Sequence, residues 1–200
     1  MSTIEFVTIE VADTTVADRF YTAAFGLGTR VRLRISETPT TGFRGFTLSL
    51  IVSQPATVNA LVDAAVDAGA TSLKQTAKSL WGYGGVVRAP DGTIWTVASS
   101  AKKDTGPATR QIDEFAVQVG VADVAASKRF YVDRGFDVAK SYGRRYVEFD
   151  TGPVKLALYN HRALAKVAGV SADGTGSHRL MIGSDAGPFT DPDGFVWEST

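Results

Sequence analysis

Three arginines alternate with aliphatic residues in the run Arg30, Val31, Arg32, Leu33, Arg34, Ile35. In an extended strand such alternation sends Arg30, Arg32 and Arg34 to one face. Planar guanidiniums there can grip a carboxylate or phosphate through two parallel hydrogen bonds. The same pattern also describes a strand with one solvated face. A second group, Trp81 and Tyr83, stands among Gly82, Gly84 and Gly85. Glycine lets backbone approach a ligand closely and leaves the rings free to cover it, although aromatic rings equally serve as core. Tyr142, Arg144, Arg145 and Tyr146 form a third group, readable as cleft wall or as hairpin turn. Tyr146 is its candidate ligand contact. Glu10 could act as a general base only if burial raised its pKa. The glycines at 82, 84 and 85 do not follow a strand and open a helix, so they are not a phosphate loop.

Composition removes whole classes of chemistry. The chain has no cysteine, which excludes disulfides, thiol catalysis and thiolate metal sites. Its two histidines are too scattered for an inferable Ser-His-Asp set. Charge balances at 21 basic and 21 acidic residues, so no bulk positive field draws nucleic acid or an acidic membrane. No apolar run approaches the length of a membrane span, and no secretory leader pattern opens the chain. The expectation is a cytoplasmic protein with a small-molecule partner and an ordinary core, 44% of its 200 residues being hydrophobic.

The elements that must position these residues occur twice. Alternation over 4–11 predicts a strand, Asp13 an N-cap, and Val16, Phe20 and Ala24 a helix stopped by Gly26 and Gly28. The stretch 113–121, Asp123 and Phe130-Tyr131, followed by Gly135, repeats that pattern. Pro90-Asp91-Gly92 with Trp95 is matched by Pro192-Asp193-Gly194 with Trp197. Like motifs separated by about one hundred residues mark tandem copies of one unit. Strands are predicted at 29–35, 44–52, 71–76, 84–88 and 93–98, with a helix opened by Ser53 and Pro55. The second copy carries strands near 137–142, 144–150 and 154–159, a connecting helix at 161–169, and strands near 177–183 and 194–199. The organisation is α+β, built of tandem βαβββ modules, with a half at 1–100, a linker at 101–111 and a half at 112–200.

With those residues in view, the chain resembles the vicinal oxygen chelate superfamily, which includes glyoxalase I, bleomycin-resistance proteins and extradiol dioxygenases. The resemblance rests on the repeated strand–Asp–Phe-Tyr–Gly order and on the stretch from Ser79 to Gly85. It rests also on Tyr146–Asp150 with Val154–Asn160, and on the two Pro-Asp-Gly–Trp endings. It implies βαβββ modules paired into open, half-barrel sheets around a cleft, here with the first and fourth modules shortened. It also implies ligand positions for a divalent metal on the opening strands and after each closing aromatic. Phe6, Thr47 and Thr96 occupy such positions in the first half, which leaves it without plausible ligands. In the second half Ala116 stands at one of them, and Glu114, His178 and Glu198 are the candidate metal set. The relatives include proteins that sequester antibiotics without catalysis. The expected function is therefore binding of a small organic molecule without a cofactor, through Arg30, Arg32, Arg34, Trp81, Tyr83 and Tyr146. One alternative is a glyoxalase-type lyase or isomerase with Zn, Ni, Mn or Fe at the second-half set. The other is a non-catalytic interaction module. Open sheet edges in shortened modules also suggest a homodimer.

Overall fold

The computed structural model describes residues 1–200. The first unit is β1 (Ile4–Val11), α1 (Thr14–Ala24) and β2 (Val31–Ile35), followed by a short β3 (Thr40–Gly42). The second is β4 (Phe46–Ile51), α2 (Pro55–Asp67), β5 (Thr71–Ser79), β6 (Gly82–Arg88) and β7 (Ile94–Ser99). The third is β8 (Glu114–Val121), α3 (Val124–Val132), β9 (Asp137–Ser141), β10 (Tyr146–Asp150) and β11 (Val154–Asn160). The last carries α4 (His161–Ala168), β12 (Gly174–Gly176), β13 (Leu180–Ser184), β14 (Phe189–Thr190) and β15 (Val196–Ser199). The class is α+β, with the first module shortened and no helix between β13 and β15.

Local chemistry sets the element starts. Asp13 accepts hydrogen bonds from the amides of Thr15 and Val16, and Asp123 does the same for Ala125 and Ala126. Each carboxylate satisfies amides that the first helical turn leaves orphaned. Pro55 opens α2, where its missing N–H costs nothing. Arg30 differs from expectation. It ends a 3-10 turn at Gly28–Arg30, so only Arg32 and Arg34 lie on β2.

Two main sheets result. The larger has the order β5-β6-β7-β4-β8-β11-β10-β9, and the smaller β14-β15-β13-β1-β2. The joint in the large sheet is the antiparallel pair β4–β8. In the small sheet it is the antiparallel pair β1–β13. Both joints bring together strands from opposite sides of residues 101–111, so each sheet draws on both halves of the sequence. The linker itself is pinned. Gln54 accepts from the Thr105 and Gly106 amides and donates to the Pro107 carbonyl, and Arg110 donates to the carbonyls of Ala23 and Ala24 at the end of α1.

The repeated motifs prove to be clasps between modules. Tyr21 of α1 donates to Asp91 in the turn before β7, at 2.5 Å. Tyr131 of α3 donates to Asp191 in the turn before β15. The tyrosine is the same in both copies, but its acceptor moves from the Asp of Pro-Asp-Gly to the residue before Pro192. Trp95 and Trp197 pack against these tyrosines, at 5.5 and 5.4 Å between ring centroids. The main hydrophobic cluster contains both tryptophans together with Phe115, Phe136, Phe149 and Phe195.

A second, smaller cluster lies on the opposite face of the large sheet. Leu164, Ala165 and Ala168 of α4 pack there on Phe43, Val86 and Ile94. A Cβ at Gly120 would stand 3.0 Å from the Cα of His161, so glycine lets α4 approach β8. No helix in the structure is long and apolar enough to cross a membrane.

Candidate functional site

The face of the small sheet away from the main core is polar. Thr8 of β1 donates to Glu198 Oε1 at 2.5 Å, and Arg34 of β2 donates to Glu198 Oε2 at 2.8 Å. Desolvation pushes the Glu198 carboxyl upward, but these two donors outweigh it and the net direction is below the ordinary value. Arg32 stacks on the Phe6 ring, with its guanidinium carbon 3.3 Å from the centroid. The other side of that ring lies over Gly183, where any Cβ would meet it at 2.4 Å. Each group at this centre is thus already engaged by a neighbour.

The proposed metal set is not assembled. Glu198 lies on the small sheet, while Glu114 is exposed on β8 of the large sheet. His178 was expected on the opening strand of the last module but precedes β13 by two residues. Its ring stacks on Phe195 at 3.9 Å. Nδ1 faces the Arg44 carbonyl at 2.6 Å and Nε2 the Asp193 carbonyl at 3.1 Å. Both ring nitrogens are thus directed at backbone carbonyls and not toward Glu114 or Glu198. His161 Nε2 similarly meets the Ala172 carbonyl at 2.9 Å. No group of three or more His, Cys, Asp or Glu side chains in the structure is placed to hold a metal.

At the centre of the large sheet, Thr47 donates to Gln118 at 2.8 Å, and α4 packs against β8 and β4 nearby. Two flanks remain. At the β9–β10–β11 end, Tyr146 donates to Glu148 at 2.6 Å, and Lys140 pairs with the same carboxylate at 3.1 Å. The rings of Tyr142 and Tyr159 stand 5.9 and 4.9 Å from Tyr146. Burial, reinforced by the Glu148 hydrogen bond, pushes the Tyr146 phenol well above its ordinary range, so it remains a neutral donor.

At the other end lies a cleft of about 510 Å³, bordered by β5, β6, β7 and the end of α4. Gly84, Ala77 and Ala98 keep side-chain bulk low, and Trp81 borders it. Trp81 is 85% exposed, whereas Trp95 and Trp197 are 0% and 1% exposed. Lys74 and Lys78 line the cleft and no acid does. Lys74 also holds the end of α4, its ammonium donating to the carbonyls of Lys166 and Val167 at 2.8 and 2.7 Å. Tyr83 borders the same space, but its hydroxyl donates to Asn59 of α2 and its ring packs on the main core.

The six residues expected to line one cleft are therefore distributed. Trp81 and Tyr83 meet at the β5–β7 cleft, Arg32 and Arg34 on the small sheet, and Tyr146 at the far flank. Arg30 lies 5.9 Å from the buried Phe115 ring, away from the other two arginines' partners. Sequence reasoning missed Lys74, Lys78, Ala98 and Val167. Register shifts between Ser72 and Lys74 and between Lys74 and Ala77 break the alternation that would have revealed the inner face of β5.

Paired βαβββ modules joined into a shared open sheet give the chain a glyoxalase-like fold. Glyoxalase I from Zea mays superposes with a TM-score of 0.62 over 98% of this chain and 91% of that chain, at 15% identity. Its V278E mutant gives 0.63 over 100% and 92%, at 16% identity. A putative dioxygenase from Bacillus subtilis subsp. subtilis str. 168 gives 0.56 over 90% and 69%, at 9% identity. The sequence matches no protein-family model and no curated protein. At these identities the likeness is one of fold, and chemistry must be argued from the residues.

Proposed function

We propose that this chain binds a flat, anionic organic molecule in the cleft beside β5, β6 and β7, without a divalent metal. The observation that carries this reading is the cleft itself: about 510 Å³, within the range of small-molecule sites, with two lysines, a tryptophan and no acid in its lining. Glycine and alanine leave room for a planar ring system against the strands. Trp81 supplies an aromatic surface, and the ammonium groups supply charge for a carboxylate or sulfonate. The separation of Glu114, His178 and Glu198 supports the metal-free form of binding. The fold of glyoxalase I is shared, but a shared fold does not carry its activity, which resides in a site of its own.

Titration with naphthalene sulfonate and salicylate, followed through Trp81 emission, tests the reading. The expected result is saturable quenching that Trp81→Ala abolishes optically and Ala98→Leu weakens by filling the cleft. A ligand at a hundredfold its dissociation constant adds about 2.7 kcal/mol of stability, read as a thermal shift. Absence of quenching and of any shift overturns the proposal. So does binding that vanishes on exhaustive chelation, or a stoichiometric metal lost in His178→Ala, because either returns the lyase reading.

A further inference from the structure

Arg44 lies in the loop between β3 and β4, half-buried beside the turn at 90–92. Its Nη2 donates to the Asp91 carbonyl, whereas Nη1 is enclosed and has no hydrogen-bond partner. It takes part in none of the molecule's ion pairs. Asp91 is the nearby acid, and its carboxylate is already occupied. Oδ2 accepts from Tyr21 at 2.5 Å and Oδ1 from the Thr93 amide at 2.7 Å. Two more arginines act on this position. Burial first, then Arg179 and Arg88, hold the Arg44 guanidinium below the usual arginine value despite the attraction of Asp91. Arg44 thus faces two other guanidiniums and one carboxylate whose oxygens are already engaged, so its partly buried charge has no partner of its own.

A cavity of about 10 Å³ adjoins this guanidinium, lined by Gly42, Arg44, Phe46, Arg88, Gly92 and Thr93 among others. That volume admits about one water-sized occupant. A water could accept from Nη1 but would leave the charge uncompensated, and a tetrahedral oxyanion is too large. We propose that this cavity is a binding site for a halide-sized monovalent anion, held by Arg44 Nη1 and faced by Arg88. The site shares no lining residue with the β5–β7 cleft, so it stands or falls independently of the proposed function. Its structural effect follows from its place. The Arg44 carbonyl accepts from His178, just before β13, and its guanidinium reaches the turn before β7, so an anion here braces both sheets at one loop.

The experiment compares thermal unfolding in sodium chloride with that in sodium gluconate at equal ionic strength, in the wild type, Arg88→Ala and Arg44→Met. The expected result is a melting temperature about 3 °C higher in chloride for the wild type. That increment shrinks in Arg88→Ala, which alters an exposed side chain, and disappears in Arg44→Met. Crystals soaked in sodium bromide are expected to show an anomalous peak against Arg44 Nη1. Equal melting in both salts, with water instead of bromide in the cavity, overturns the proposal. A chloride increment unchanged in Arg88→Ala also overturns it. If Arg44→Met does not fold, the bromide map and Arg88→Ala decide the matter.

Discussion

Glu198 and Asp191 are neighbouring carboxylates in sequence that the fold moves in opposite directions. Thr8 and Arg34 hold Glu198 below its ordinary 4.5, so its contribution to stability is present above pH 4.5 and lost as pH falls through the lower folded value. Replacing it by Gln should flatten that acid limb, which urea midpoints measured between pH 3 and pH 7 would register. At neutral pH the loss should stay below about 1 kcal/mol, because Arg34 is half-exposed and salt screens the pair. Asp191 behaves conversely. Burial pushes its carboxyl above the ordinary 3.8, although the Tyr131 hydroxyl and the amides of Phe195 and Asp193 oppose the shift. Its contribution is full below pH 3.8 and is lost as pH rises through the folded value. The stability of Asp191→Asn relative to the wild type should therefore improve across that rise, in the same midpoints. At this scale the sequence identified Glu198 as a notable residue but not its partners. Thr8 and Arg34 meet it across three strands, a relation that no spacing along the chain expresses. His178 misled for a related reason: residue type suggested a ligand, while both ring nitrogens had found carbonyls from distant loops.

Helix caps, the four helices and the longer strands were legible because their causes are local, as in the Asp13 and Asp123 caps and the alternation of β1. Strands of two or three residues, β3, β12 and β14, carry no readable period. The meaning of the Phe-Tyr and Pro-Asp-Gly repeats was also hidden, since a clasp needs both partners in space. Tyr131→Phe should cost about 1–3 kcal/mol by leaving a buried carboxylate short of a donor, as judged from denaturant unfolding. Helix α4 is the other element with a decisive placement, seated against the large sheet with its end on the cleft beside β5, β6 and β7. Leu164 is fully buried there, so Leu164→Ala should cost about 2–5 kcal/mol in the same assay. Loss of α4 docking should also free Lys74 and alter the accessibility of Trp81 to acrylamide.

The order of strands and helices was legible across the whole molecule, but the way the two stretches on either side of 101–111 combine was not. The sequence reading divides the chain at 101–111, and the sheets do not respect that division. Strands β4 and β8 pair across it, and so do β1 and β13. Such pairing is decided by which edges two complete modules present to one another, a property of assembled surfaces. Each half alone would leave two strand edges bare, one in each sheet. The pinned strap at 104–110 then has a thermodynamic role beyond connection. It holds two mutually dependent pieces at a high effective concentration, so that their union is intramolecular. Cut by a protease site inserted there, the protein would become a heterodimer of unlike fragments, and its melting point should fall on dilution where that of the intact chain stays constant.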